Sequence, residues 1–417
     1  MDRIILTVNT NRYGGIKIEQ KRLLIITNTY PSGTDYKGIF IQEQILQLNH
    51  AFKEIIIISP IGYYPKFLLR YRWFRDYIGY NVFPADYSRD NISVYFPRYF
   101  SIPYFIDKYL HLRKYLFTSS VKKAIRKQSI KFDLIHAHFI SPAGFAGVKV
   151  KKCCSVPLVI TGHGGDVYTE ISEKNTNRDK KVIESLITAD KIITTSKINY
   201  EILKNLPGMT VEKLTILKNG YDESKFFPMD KNALRKELDL PDNKFIVLSI
   251  GNLVEIKGHT YLIDAIGELK KENLEIECII IGRGNPDPLN SQIFSLSLEQ
   301  HVRIINGIPH DQVPKWLNAC DLFVLPSLNE GSPTVIPEAW GCGIPVIASS
   351  VGGIPELFQD ANVGFLVPPG NSKEICRAMK RAINHSWDYE RIVQHSRQFT
   401  WNRIAEQLMI MYQELLR

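Results

Sequence analysis

Short unbroken runs of aliphatic residues recur along this chain, and each is followed by a stretch with helical spacing. Leu23-Leu24-Ile25-Ile26 is the first run and Ile55-Ile56-Ile57-Ile58 the second. Leu134-Ile135, Leu158-Val159-Ile160, Ile192-Ile193 and residues 214–217 continue the series. A polar stretch, 222–244, interrupts it and carries Pro228 and Pro241, which suit a linker. The series restarts at 245–250 and continues through 277–281, 302–305, 322–325 and 346–348. A strand apolar on both faces must be covered on both, and helices between strands do this for a parallel sheet. Two such series predict an α/β protein of two Rossmann-like, doubly wound parallel-sheet domains. The expected division is 1–225 and 226–400. At 417 residues the chain exceeds what one core usually holds. Residues 401–417 place Ile404, Leu408, Met411 and Leu415 at helical spacing. Residues 1–20 precede the first clear strand and read as an extension without an assigned role.

Composition narrows the class. Apolar residues make up 44% and charged residues 23%, which excludes a disordered chain, a collagen and a coiled coil. No run approaches the ~18 apolar residues of a membrane-spanning helix. Residues 1–8 are too short for a secretory signal core. The six cysteines lack C-x-x-C spacing, so we expect reduced, mostly buried thiols in a cytosolic protein with no zinc site. The net charge of +9 is unevenly placed: residues 61–131 hold 14 Lys and Arg against 4 Asp and Glu, and the remaining 346 residues sum to −1. The same stretch carries 19 of the 45 aromatic residues, among them Tyr63, Tyr64, Phe67, Tyr71, Trp73, Phe74, Tyr77 and Tyr80. Cations mixed with aromatic rings suit an anionic membrane surface, where lipid phosphates meet the cations and rings sit at headgroup level. A solvated basic face over an aromatic core is the simpler alternative. Single-stranded nucleic acid is a third. No zinc finger or RNA-binding aromatic motif supports it, and we expect no nucleic acid partner.

Ligands of open parallel sheets bind beyond the carboxyl ends of the strands, so the cleft between two such domains is the expected site. The richest motif follows Leu322-Phe323-Val324-Leu325. Residues 326–338 read as a turn and a helix start, with Ser332 as N-cap and Pro333 at the first helical position. The free amides of Thr334 and Val335 would then favour a phosphate. Glu330 precedes that terminus and Glu338 follows it. Two carboxylates beside an anion site make sense as binders of hydroxyls, a sugar at one end and a ribose at the other. Solvated acids on a capped helix are the alternative. Pro337 is out of place in this reading, because a proline inside a helix removes a backbone bond.

Glu330 and Glu338, separated by seven residues, resemble the E-x7-E motif of the family 4 retaining glycosyltransferases, which have the GT-B fold. The flanking text is similar: Pro345-Val346-Ile347-Ala348, Gly352-Gly353-Ile354-Pro355-Glu356, residues 364–369, Lys218-Asn219-Gly220-Tyr221-Asp222 and residues 251–258. The likeness spans residues 22–416 and points to the polysaccharide and cell-envelope glycan branch. It implies that Lys257 contacts the donor diphosphate, Glu338 the ribose hydroxyls, Glu330 the transferred sugar, and the Thr334 and Val335 amides the phosphate. The family usually has arginine where this chain has Asn252, which removes one cation. Arg283 is a candidate to compensate. The last helix is expected to cross back onto the first domain.

The first domain supplies the other wall. Thr161-Gly162-His163-Gly164-Gly165-Asp166 resembles the family's H-G-x-D element, whose histidine lies against the donor sugar. Asp166 orients the site or caps the next helix. Gly38 lies in the first strand-to-helix loop, where the family often has two glycines, and lets backbone approach a ligand. His136 and His138 end another strand and line the acceptor side or pack in the core. No G-x-G-x-x-G follows a strand, and there is no Walker A loop, H-E-x-x-H or D-x-D. We therefore expect no cofactor and no essential metal, with Lys257 and a helix terminus neutralising the departing diphosphate. The resemblance implies a retaining hexosyltransferase that moves a sugar from a nucleotide-diphosphate donor to an acceptor hydroxyl; the cysteines add the expectation of a cytoplasmic protein, and the basic aromatic stretch that of a glycan or lipid-linked acceptor at the inner membrane face. A nucleotide-sugar epimerase of the same fold and a non-catalytic sugar-nucleotide-binding protein are the competing readings.

Overall fold

The structure is a computed structural model that describes residues 18–32, 37–64, 84–103, 107, 110–171 and 180–417. Its framework is two parallel sheets. The first holds β1 (Arg22–Thr27), β2 (Glu54–Ile58), β4 (Tyr87–Arg89), β5 (Ile92–Tyr95), β7 (Leu134–His138), β8 (Leu158–Gly162), β9 (Lys191–Thr194) and β10 (Leu214–Ile216), in the order β10-β9-β8-β7-β1-β2-β5-β4. Only the edge strand β4 runs antiparallel. A separate parallel pair joins β3 (Ile61–Tyr63) to β6 (Arg98–Phe100). The second sheet holds β11 (Phe245–Ile250), β12 (Ile276–Ile281), β13 (Val302–Ile305), β14 (Leu322–Leu325), β15 (Val346–Ser349) and β16 (Gly364–Val367), in the order β13-β12-β11-β14-β15-β16. The aliphatic runs of the sequence are these strands. The short strands β3 to β6 were not foreseen, because their mixed polar residues give no continuous run.

In each sheet the chain builds outward from a central strand, then returns to the other side of it. The reversal lies between β1 and β7 in the first sheet and between β11 and β14 in the second. Helices diverge to opposite faces at such a switch point and leave a crevice beyond the carboxyl ends. Residues of one strand alternate between two cores. Leu24 and Ile26 pack with Phe117 and Phe145, while Leu23 and Ile25 pack with Ile41, Leu408 and Tyr412. The second sheet repeats the pattern: Leu248 packs with Phe323 and Trp340, and Val247 with Leu262 and Ile280.

The last helix, Trp401–Leu415, buries Trp401, Ile404, Ala405, Leu408, Met411 and Tyr412 on one face. That face lies in the core of the first sheet, beside the helix Ile39–Leu48. Where the chain returns it runs alongside its outward crossing: Tyr221 N–H donates to Phe399 O at 3.0 Å, and Trp401 N–H to Tyr221 O at 2.9 Å. A Cβ on Gly220 would stand 2.8 Å from the Trp401 ring, so glycine permits this contact.

One local expectation is corrected. The helix after β14 spans Val335–Gly341 and is preceded by Thr334, so it starts later than a Ser332 cap requires. Pro337 is then its third residue. The first four amides of a helix have no intrahelical partner, so this proline costs no bond. Four cysteines are buried, whereas Cys153 and Cys154 are exposed. No helix among the described residues is long and apolar enough to cross a membrane. Phe67, Tyr71, Trp73, Phe74, Tyr77 and Tyr80 of the basic aromatic stretch lie outside the described residues.

Candidate active site

Glycines bring the second domain's loops together at its switch point. A Cβ on Gly258 would lie 2.1 Å from Pro326 O, so the loops after β11 and β14 touch. Gly258 has φ +67, a left-handed value that ends the short turn Glu255–Lys257 and starts the helix His259–Lys270. This places Lys257 over the crevice, with its side chain packed along Gly251. Lys257 Nζ donates to Glu330 Oε1 at 2.6 Å, and Ser327 Oγ donates to the same oxygen at 2.8 Å. The Glu330 side chain is 10% exposed and that of Lys257 25%. A half-buried pair of this kind is costly to split and easy to re-pair with an incoming charged group. Asn252 and Arg283 are exposed beyond the carboxyl ends of β11 and β12. Thr334 and Val335 are half-buried at the start of their helix, while Glu338 is 4% exposed. His310 Nε2 stands 3.7 Å from Glu338 Oε1.

The first domain meets these loops through backbone. A Cβ on Gly331 would lie 2.4 Å from His163 O, and one on Gly164 would lie 2.5 Å from Gly331 Cα. The loops after β8 and β14 thus touch, and His163 and Glu330 belong to one site. Asn219 Nδ2 donates to Ser332 O at 3.0 Å across the same seam. The His163 ring is flanked by Phe40 and Phe139, each with ring centres 4.8 Å away. Its Nε2 lies 3.1 Å from His138 Nδ1. Burial pushes its pKa down to about 3, against a weaker opposing pull from Asn219. His163 is therefore a neutral ring, able to hydrogen-bond a sugar hydroxyl but not to supply a cation.

Asp166 accepts the amides of Ile140 at 2.9 Å and Gly164 at 3.0 Å. It ties the loop after β7 to the loop after β8, in the first turn of the helix Gly165–Ile171. Burial raises its pKa and those amides oppose the rise. Gly38 has φ +81 at the start of the helix Ile39–Leu48, where a Cβ would lie 2.8 Å from Thr29 O. That contact seats the helix on the end of β1.

The two histidines of β7 do not line an acceptor wall. His136 is fully buried; its Nδ1 lies 2.6 Å from Tyr412 Oη and its Nε2 2.7 Å from Thr161 Oγ1. It pins the last helix to the first sheet. His138, also fully buried, backs His163. Alternation on a strand points both of these residues, i and i+2, to the same face, and here the last helix and the His163 loop cover that face. Sequence reading missed Ser327, Asn219 and His310. Ser327 lies only three positions before its partner Glu330, a local spacing that was overlooked; Asn219 and His310 meet their partners only through folding. Among the described residues, no group of three or more His, Cys, Asp or Glu is placed to hold a metal ion.

Comparison with known proteins agrees with this arrangement. Residues 79–225 match the family model Glycosyltransferase Family 4, and residues 230–399 match Glycosyl transferases group 1. The glycosyltransferase TuaC of Bacillus subtilis (strain 168), named for teichuronic acid biosynthesis, is 32% identical over 368 residues, 86% of this chain and 88% of that protein. The D-inositol 3-phosphate glycosyltransferase of Corynebacterium glutamicum (strain R) is 24% identical over 72% of this chain and 76% of its own length. Among solved structures, sucrose-phosphate synthase from Thermosynechococcus elongatus superposes with a TM-score of 0.74 at 20% identity, covering 95% of this chain and 99% of that one. Anabaena HepE in complex with UDP-glucose superposes at 0.67 and 20% identity, over 95% of this chain and all of the other. Two doubly wound domains, both matched by family models, and a relative 32% identical over 86% of this chain make it a glycosyltransferase of family 4 with the GT-B fold.

Proposed function

We propose that the protein transfers a hexose, with retention of anomeric configuration and without a metal, from a nucleotide-diphosphate sugar to a hydroxyl of a glycan or lipid-linked acceptor in cell-envelope polysaccharide synthesis. The carrying observation is the Lys257–Glu330 pair, 2.6 Å apart, in the loop pair that meets the His163 loop across the cleft. A donor pyrophosphate takes Lys257 from Glu330, and Glu330 turns to the hydroxyls of the sugar. The amides of Thr334 and Val335 add donors to the phosphate, and Glu338 holds the ribose. The sugar–phosphate bond opens through an oxocarbenium-like state. A donor phosphate oxygen takes the acceptor proton on the same face, which gives retention. Lys257 stabilises the charge that develops on the leaving diphosphate, the kind of term worth about 2.7–4 kcal/mol per donor in water-excluded sites. Closure of the glycine seam keeps water from competing with the acceptor.

The name of the Bacillus relative favours a cell-envelope acceptor, and the structures solved with UDP or UDP-glucose make a UDP-hexose the first donor to try. The helix Arg113–Lys127 exposes Tyr115, Lys123, Arg126 and Lys127, beside exposed Leu110 and Leu112. Such a face suits an anionic surface at the cytoplasmic side. The test is a panel of uridine-, guanosine- and adenosine-diphosphate hexoses, each with and without acceptor and chelator, read by NMR of the product anomer. An inverted linkage, abolition by chelator, or epimerised donor in place of transfer would each overturn the corresponding part. Liposome sedimentation with anionic and neutral lipids checks the surface; binding indifferent to lipid charge would count against it.

A further inference from the structure

Behind Glu338 a run of charged groups, of which Glu338 and Glu43 are buried, joins the two domains. Glu43, on the first domain's helix Ile39–Leu48, is 3% exposed. Its Oε2 accepts the indole N–H of Trp401 at 3.0 Å, at the start of the last helix. Its Oε1 accepts Lys225 Nζ at 3.0 Å, and Lys225 also meets Asp222 at 3.0 Å in the segment that crosses between domains. His310 belongs to the second domain, in the turn His310–Gln312 after β13. Its Nδ1 stands 3.9 Å from Glu43 Oε1 and its Nε2 3.7 Å from Glu338 Oε1. Phe226 closes one side, with ring centres 5.8 Å apart. The charged groups facing the imidazole are thus Glu338, Glu43 and Lys225, with Asp222 behind.

Two carboxylates, each nearly out of water, share this one ring. A buried carboxylate without a compensating charge is strongly disfavoured. Burial works against a charged imidazole, but the attraction of Glu338 and Glu43 outweighs it and the repulsion of Lys225, so the pKa of His310 is raised. Both separations exceed a good hydrogen bond, so the attraction is one of charge and tolerates a small shift as a ligand enters.

We propose that His310 is a positioning residue for the donor: as an imidazolium between Glu43 and Glu338, it holds the Glu338 carboxylate for the ribose hydroxyls and ties it to the interdomain crossing at Trp401 and Lys225. This rests on Glu338 being the ribose anchor. Donor affinity then depends on a residue of the other domain that touches no ligand. A group whose pKa is raised in the fold carries its charge below that pKa and loses it above, so nucleotide binding weakens as pH rises through the His310 titration.

The experiment is calorimetry of UDP, GDP and ADP with the full chain from about pH 6 to about pH 9, using wild type, His310→Asn, Glu43→Gln and Glu338→Gln. Ionisation of the nucleotide is common to all four proteins and cancels in the comparison. His310→Asn is expected to weaken binding about tenfold at the acid end, to flatten the remaining pH dependence, and to leave kcat of transfer within about threefold. Glu43→Gln keeps the Trp401 contact but removes a charge, and is expected to move the binding midpoint down by about one pH unit. A merely structural Glu43 would lower Tm without moving that midpoint. An unmoved midpoint in folded Glu43→Gln, or a wild-type profile identical to that of His310→Asn, overturns the proposal. Normal binding by Glu338→Gln, or no binding of any of the three nucleotides at about millimolar concentration, overturns the donor-site reading and this inference with it. A defective Glu338→Gln beside a normal His310→Asn overturns this inference alone.

Discussion

Glu356 Oε1, in the second domain, accepts the backbone N–H of Lys197, in the first, at 2.6 Å. Lys197 opens the helix Lys197–Lys204, whose own N-cap, Ser196, accepts from Asn199 N. A carboxylate from one domain therefore satisfies a free amide at a helix start in the other, where negative charge is favoured. Lys218 reinforces the contact by donating Nζ to Glu356 O at 2.6 Å. Glu356→Ala is expected to cost about 0.5–2 kcal/mol of the closed arrangement, as loss of a helix cap does. Small-angle scattering is expected to show a larger radius of gyration, and kcat/KM to fall about tenfold. An unchanged scattering curve would show that this latch does not hold the domains.

The glycine seam makes a sharper test. A Cβ on Gly331 would lie 2.4 Å from His163 O, and one on Gly353 would lie 2.3 Å from Gly331 O. Gly331→Ala leaves each domain's core untouched but forces the loops apart. We expect thermal unfolding to change little and kcat/KM to fall by about a hundredfold, since misplacement near 1 Å is that costly. Normal turnover would mean that the working state is more open than this structure.

Lys257 and Glu330 are expected to part when the donor binds, one going to the diphosphate and the other to the sugar. Lys257→Ala and Glu330→Ala should each lower transfer by about 10²–10³ while circular dichroism stays unchanged. The double variant should lose about the product of the two single losses, because in the donor complex each residue meets a different group. A double variant no worse than either single one would mean that the two residues act as a unit.

The buried histidines predict how the fold responds to acid. Burial holds His136 and His163 near pKa 3, and His138 well below its ordinary value. A depressed histidine is neutral in the fold, while the unfolded chain binds protons below about pH 6.5. Stability is therefore full above that pH and is lost as pH falls toward 3, by about 2 kcal/mol at pH 5 for each of His136 and His163. Denaturant titrations at pH 7 and pH 5 check this; equal midpoints would refute it.

Tyr412→Phe removes the hydroxyl that meets His136 Nδ1 at 2.6 Å and leaves a buried nitrogen unpaired. A loss of about 1–3 kcal/mol is expected, with the donor KM unaltered. A raised KM at normal stability would mean that the last helix reaches the donor site directly.

Much of this architecture was legible beforehand because a strand buried on both faces has to be written as an aliphatic run, and 55–58 or 322–325 admit few other readings. Edge strands such as Tyr87–Arg89 are exposed to solvent and carry no such mark. Helix ends were less legible: Ser332 and Pro333 have the residue types of a cap, but the helix begins at Val335 because Ser332 is engaged with Asn219. Glu330, Lys257 and His163 could be nominated from their place after strand ends. His136 had the same credentials and turned out to hold Tyr412.

Local pattern thus dictates elements and their order, because hydrophobic burial acts on each segment alone. Which polar residues meet is another matter. Glu43 and His310, 267 positions apart, face each other because two sheets and a returning helix bring them there. No spacing along the chain encodes a distance that the packing of two domains creates.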